Sequence, residues 1–181
     1  DAFRAHLKSE GMRFQKGLLA LLRNPPGSEP ALAGLVQMKA ALLAIESTQE
    51  SPAARSFWWV SRGFLDSLVD RGLAAEPETK QLCARIDLQI RRLLEGSRNV
   101  AERLMRDALY YVGQAQTGGE IAAEVRDRFR LTRLIPESGA AALDPRQEVG
   151  LRRLREVVNA AEEFWNKFCA GSAAALTNFA E

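Results

Sequence analysis

The stretch from Lys80 to Tyr110 contains no proline, and its apolar residues recur by threes and fours: Leu82, Ile86, Ile90, Leu93, Leu94, Val100, Leu104, Ala108 and Leu109. That spacing lines one face of an α-helix. Arg85, Arg92, Glu95, Asn99, Glu102 and Arg106 fall on the other side. Asp87 before Arg91 and Glu102 before Arg106 are acid-then-base pairs four residues apart, the stabilising order on a helix. The pattern predicts one continuous central helix over 82–112. At 1.5 Å per residue it is a rod of about 45 Å, and everything else in the chain must pack along it.

The chain has 181 residues, 46% of them hydrophobic, so one domain or two small ones can bury a real core. Leu, Ala, Arg and Glu dominate, a composition that suits helices. A net charge of +2 gives no ground by itself for a nucleic-acid or membrane partner. Cys83 and Cys169 lie far apart and read as small buried hydrophobes. No apolar run reaches the ~18 residues of a membrane span, and there is no signal peptide. The chain begins at Asp1 and ends at Glu181, each inside a helical pattern. The expectation is a cytoplasmic piece of a longer protein, without membrane insertion.

Taken in order, residues 3–23 form a first helix with a Phe3, Leu7, Phe14, Leu18, Leu21, Leu22 stripe. Gly11 weakens it by about 1 kcal/mol relative to alanine. Asn24-Pro-Pro-Gly-Ser stops it. A second helix covers 29–46, with Pro30 in its first turn, and Ser47 to Pro52 is the next break. The third, 53–71, carries Phe57, Trp58, Trp59, Val60, Phe64, Leu65, Leu68 and Val69, with Gly72 as its C′ residue. Three consecutive aromatics cannot share one helical face, so at least one must meet another helix or a partner. After the central helix, Thr117-Gly118-Gly119 is a break and 121–135 a shorter helix. Residues 140–146 read as a linker and 147–181 as a further helical region, with 1–139 as the main bundle. Nothing alternates with period two. The fold class is all-α, an antiparallel bundle of helices joined by short Pro/Gly breaks.

No working active site can be assembled from these residues. The one histidine is His6, so any Ser-His-Asp, Cys-His or His-based zinc site would need it. Nucleotide-loop, dinucleotide-loop, nucleophile-elbow and Cys-x-x-Cys motifs are all missing. The reading calls for no cofactor and no metal. Arg85, Arg91, Arg92, Arg98, Arg103 and Arg106 could form a phosphate-binding strip, but Glu95, Glu102 and Asp107 are interleaved, as on a solvated face. Arg126, Arg128, Arg130 and Arg133 form a purer cluster around Asp127 and leave helical nucleic-acid binding as a lesser alternative.

Several stretches carry a resemblance. They are Phe14-Gln-Lys-Gly-Leu-Leu-Ala-Leu-Leu-Arg23, Phe57-Trp-Trp-Val-Ser-Arg-Gly-Phe-Leu-Asp66, Leu82-Cys-Ala-Arg-Ile-Asp-Leu-Gln-Ile-Arg-Arg92, Val100-Ala-Glu-Arg-Leu-Met-Arg-Asp-Ala-Leu-Tyr-Tyr111 and Phe164-Trp-Asn-Lys-Phe-Cys-Ala-Gly171. In that order they resemble the N-terminal region of the ChpA/PilL hybrid histidine kinases of type IV pilus chemosensory systems, and the related FimL regulators. The resemblance implies a histidine-phosphotransfer (Hpt) bundle, whose working helix shows His-x-x-Lys-Gly. The nearest match here is Trp59-Val-Ser-Arg62-Gly63, with tryptophan in the place of the phospho-accepting histidine. An indole has no basic nitrogen to take a phosphoryl group.

The family therefore implies a degenerate, non-catalytic Hpt-like interaction module in twitching-motility signalling. Its partner would be a response regulator, a polar scaffold protein or a second copy, with no nucleic acid. The expected partner surface is Trp58, Trp59 and Arg62, with Arg85, Arg92 and Arg106 on the exposed side of the central helix. The competing expectation is a live phosphotransfer domain using His6.

Overall fold

A computed structural model describes residues 2–134, within the first of the two units into which the chain divides, Asp1–Glu137. The expected helical region 147–181, the linker 140–146, Cys169 and Ile135 lie outside the described residues. The described part is all helical: α1 (Ala2–Arg23), α2 (Glu29–Ser47), α3 (Pro52–Val69), α4 (Pro77–Leu94), α5 (Glu102–Gln114), α6 (Glu120–Phe129) and the short α7 (Leu131–Leu134). Pro30, Pro52 and Pro77 each sit in the first turn of their helix, where a missing N–H costs nothing. None of the described helices is long and apolar enough to cross a membrane.

The 45 Å rod does not form. Its residues fold into a helical hairpin, α4 and α5, and Gly96 is the reason. At φ +94° it takes a conformation that L-residues avoid. The Gly96 N–H donates to the Leu93 carbonyl at 3.0 Å and the Ser97 N–H to the Arg92 carbonyl at 2.9 Å. These two bonds are a Schellman ending, which satisfies the last carbonyls of α4 and turns the chain away. Gln89 Nε2 then donates to the Asn99 carbonyl at 2.8 Å and ties the loop back to α4. The apolar pattern resumes in phase after the turn, which is why periodicity alone reads through it. Asp87–Arg91 forms as expected, with Arg91 Nη2 donating to Asp87 Oδ2 at 2.6 Å. Arg85 reaches across the hairpin to Asp107 at 2.5 Å.

Two other helix ends differ from expectation. The C′ residue of α3 is Arg71, at φ +58°, rather than Gly72. Gly72 serves a different need: a side chain there would overlap the Thr117 backbone, and its carbonyl accepts the Gln116 N–H at 3.2 Å. The expected helix over 121–135 is interrupted at Arg130, at φ +52°, which separates α6 from α7.

The core joins all the long helices. Leu7, Phe14 and Leu21 of α1, Met38, Leu42 and Ile45 of α2, and Phe57, Phe64 and Leu65 of α3 meet Ile86, Ile90, Leu104 and Val112. α1 and α2 cross with their backbones nearly touching: a Cβ on Gly17 would stand 2.5 Å from the Gly34 carbonyl oxygen. α4 lies along α1, while α5 and α6 lie along α3. The most deeply buried helix is α3, flanked by α2, α5 and α6.

Candidate functional site

One face of α3 gathers the unusual residues. Trp59, Arg62, Gly63 and Asp66 follow the i, i+3, i+4, i+7 spacing of a single helical stripe. Arg62 Nη1 donates to Glu46 Oε2 of α2 at 2.6 Å, while its Nε is buried without a hydrogen-bond partner. Asp66 is buried, and its Oδ1 accepts from Lys39 Nζ of α2 at 2.5 Å. Its Oδ2 accepts the Ala122 N–H at 3.2 Å.

That last bond explains how α6 begins. Its N-cap is Gly119, which has no side chain to satisfy the helix's first N–H groups. The Asp66 carboxylate, fifty-six residues away in sequence, supplies the missing acceptor from α3 at the third helical position. A Cβ on Gly119 would collide with that carboxylate, so glycine is required for the approach. One turn along α3, a Cβ on Gly63 would stand 2.8 Å from Val125 Cγ2. Two turns along, the Trp59 ring packs on Phe129 at a centroid distance of 6.3 Å. α6 thus meets the stripe at Asp66, Gly63 and Trp59, while Arg62 turns to α2.

The expected partner surface is corrected in part. Trp58 is buried, at 2% exposure, with its ring edge-on to Phe57 at 4.7 Å; it is a core residue and not a surface anchor. It also lines a 340 Å³ cavity at one end of the bundle, beside Leu93, Gln89 and Val100. Of the three consecutive aromatics, Phe57 and Trp58 enter the shared core, and Trp59 packs on α6. Arg62 is mostly covered and ion-paired. Arg85, Arg92 and Arg106 are exposed, but they stand on two arms of a hairpin rather than on one rod. His6 is exposed on α1, and its side chain makes no hydrogen bond among the described residues.

Asp66, Lys39, Glu46 and Gly119 escaped the reading of the sequence. The available signal was a single acid inside the apolar run Phe64-Leu65-Asp66-Ser67-Leu68, on a helix already too rich in core residues to turn it outward.

The arrangement holds charge without offering it. Asp66 is closed off by Lys39 and by the start of α6. Burial pushes the Cys83 thiol up to about 12, so it carries no thiolate near neutral pH. Burial, with the negative charge of Glu78 and its neighbours behind it, also raises the Tyr111 phenol. No group of three His, Cys, Asp or Glu residues suited to a metal occurs among the described residues.

Comparison with known proteins places this chain beside scaffold proteins. Residues 1–142 match the family model described as the FimL scaffold protein second domain. Scaffold protein FimL of Pseudomonas aeruginosa PAO1 is 31% identical over 122 residues, which cover 67% of this chain and 21% of that protein. The chain therefore spans about a fifth of that relative's length. No solved structure matches it.

Proposed function

The chain belongs to the FimL scaffold family through that family's second domain, and from this premise we propose that it is a non-catalytic, Hpt-like interaction module of type IV pilus chemosensory signalling. It works in the cytoplasm by holding protein partners: a response regulator, a polar scaffold protein or another copy of itself. Trp59 stands where a phosphotransfer helix carries its histidine, with Arg62 and Gly63 in the places of the supporting base and glycine. The observation that carries the reading is the cover over that stripe. Val125 fills the space beside Gly63, and Asp66 is committed to capping α6. A phosphoryl donor has neither a nucleophile to meet nor a face to approach.

The test is phosphotransfer itself. The chain is incubated with an autophosphorylated CheA-type kinase core and radiolabelled ATP, beside the His6→Gln variant. No acid-labile phosphate is expected on either. Label on the parent chain that is lost in His6→Gln overturns the proposal. Partner binding is measured in parallel with Arg85→Ala, Arg92→Ala and Arg106→Ala, all of them exposed positions. A response regulator that binds the parent and loses affinity for these variants supports the docking role.

A further inference from the structure

α1 carries a second face that its own bundle does not use. Leu7, Phe14, Leu18 and Leu21 are buried against the core. On a different side of the helix Ala5, Lys8, Met12, Gln15, Leu19 and Leu22 repeat at alternating threes and fours, the spacing of a seam that receives another helix. All six are exposed, and the three large apolar members keep 56%, 44% and 49% of their surface in Met12, Leu19 and Leu22.

Charge says what the seam would receive. α1 has five cations, Arg4, Lys8, Arg13, Lys16 and Arg23, against one acid, Glu10, and Glu10 is engaged with Arg13. Lys8 lies in the seam, and Lys16 and Arg23 flank it. None of Arg4, Lys8, Lys16 and Arg23 forms an ion pair among the described residues. Only Arg23, in the last turn, is placed to stabilise the helix itself. Its first turn has no acid, and Arg4 stands near the positive end of the macrodipole, where a cation is unfavourable. A second copy of α1 would set cation against cation. A membrane surface fits poorly too. Interfacial helices keep cations away from the inserted face, whereas Lys8 and Gln15 interrupt this one, and the main apolar stripe of α1 is already buried.

We propose that the outer seam of α1 docks an acidic amphipathic helix of a partner protein, with leucine-like side chains between Met12, Leu19 and Leu22 and carboxylates against Lys8, Lys16 and Arg23. This rests on the interaction-module reading and names a docking face for it.

The probe is a labelled three-heptad peptide with leucine in its seam and glutamate on both flanks, and its counterpart with lysine on both flanks. Binding to the 181-residue chain is followed by fluorescence anisotropy at low and raised salt. The glutamate peptide is expected to bind and the lysine peptide not to. Lys8→Glu/Lys16→Glu/Arg23→Glu should weaken the first by about tenfold or more and admit the second. Met12→Ser/Leu19→Ser should weaken the glutamate peptide without reversing the charge preference. A Lys8→Gln/Lys16→Gln variant gives an intermediate loss if the triple reversal fails to fold, as judged by circular dichroism. Failure of the parent chain to bind the glutamate peptide at low salt overturns the proposal. So does unchanged affinity in the charge variants, or capture by phosphatidylglycerol vesicles in preference to the peptide. Loss of the seam with no phosphohistidine leaves the non-catalytic reading intact, and phosphohistidine with an intact seam does the reverse.

Discussion

Two of the helix crossings that bring glycine against a neighbour in this bundle are closed by different means. Where α1 crosses α2, Gly17 faces Gly34 and backbone meets backbone. Where α3 crosses α6, Gly63 receives the Val125 side chain, and the rest of the contact is made by the Asp66 cap and the Trp59–Phe129 pair. The first crossing depends on atoms that are missing, and moving the nearby Met38 side chain would leave the overlap with backbone in place. The second depends on particular groups at particular places. It can be loosened one group at a time, and a carboxylate that must reach both Lys39 and an N–H group allows only one register.

The two crossings should therefore fail differently. Gly34→Val should be the most damaging change, costing about 3 kcal/mol or more, because neither backbone can retreat without unpacking the core. A thermal melt lowered by only a degree or two would mean that α1 and α2 separate more easily than the 2.5 Å approach implies. Asp66→Ala should cost about 2 kcal/mol, through a lost cap and a Lys39 left without its partner. Asp66→Asn separates the two, since asparagine can still cap α6 but cannot pair with Lys39. Hydrogen exchange at Ala122 should rise in the alanine variant and change little in the asparagine one. Gly63→Ala should cost about 1 kcal/mol, part of it recovered when Val125→Ala is added. Strict additivity of that pair in urea melts would show that the two residues do not press on each other. Arg85→Ala is the yardstick: an exposed pair should give about 0.5 kcal/mol or less, screened further by salt.

The first three helices could be read from the sequence, because proline and local turn residues punctuate them and those signals act over a few residues. The all-helical class followed from the same periodicity. The break in the expected rod was also written locally, in Glu95-Gly96-Ser97. It was outvoted by an apolar repeat that continues in phase on both sides, since periodicity records which face is buried and not whether the backbone runs on. The contacts of Asp66 could not be read. Their sequence separations of twenty-seven and fifty-six residues exist only once α2, α3 and α6 are together. Trp58 and Trp59 mark the same boundary. Helical geometry showed that they must part company, but only packing decides which of the two enters the core.

The glycine contact between α1 and α2 also has a consequence for recognition. A helix held against its neighbour by bare backbone cannot roll about its own axis, because a rotation of one residue position would bring a side chain into a gap with no room for one. The direction in which Met12, Leu19 and Leu22 point is thereby set before any partner arrives. A surface with its azimuth already fixed loses little freedom on association, so more of each contact would appear as affinity.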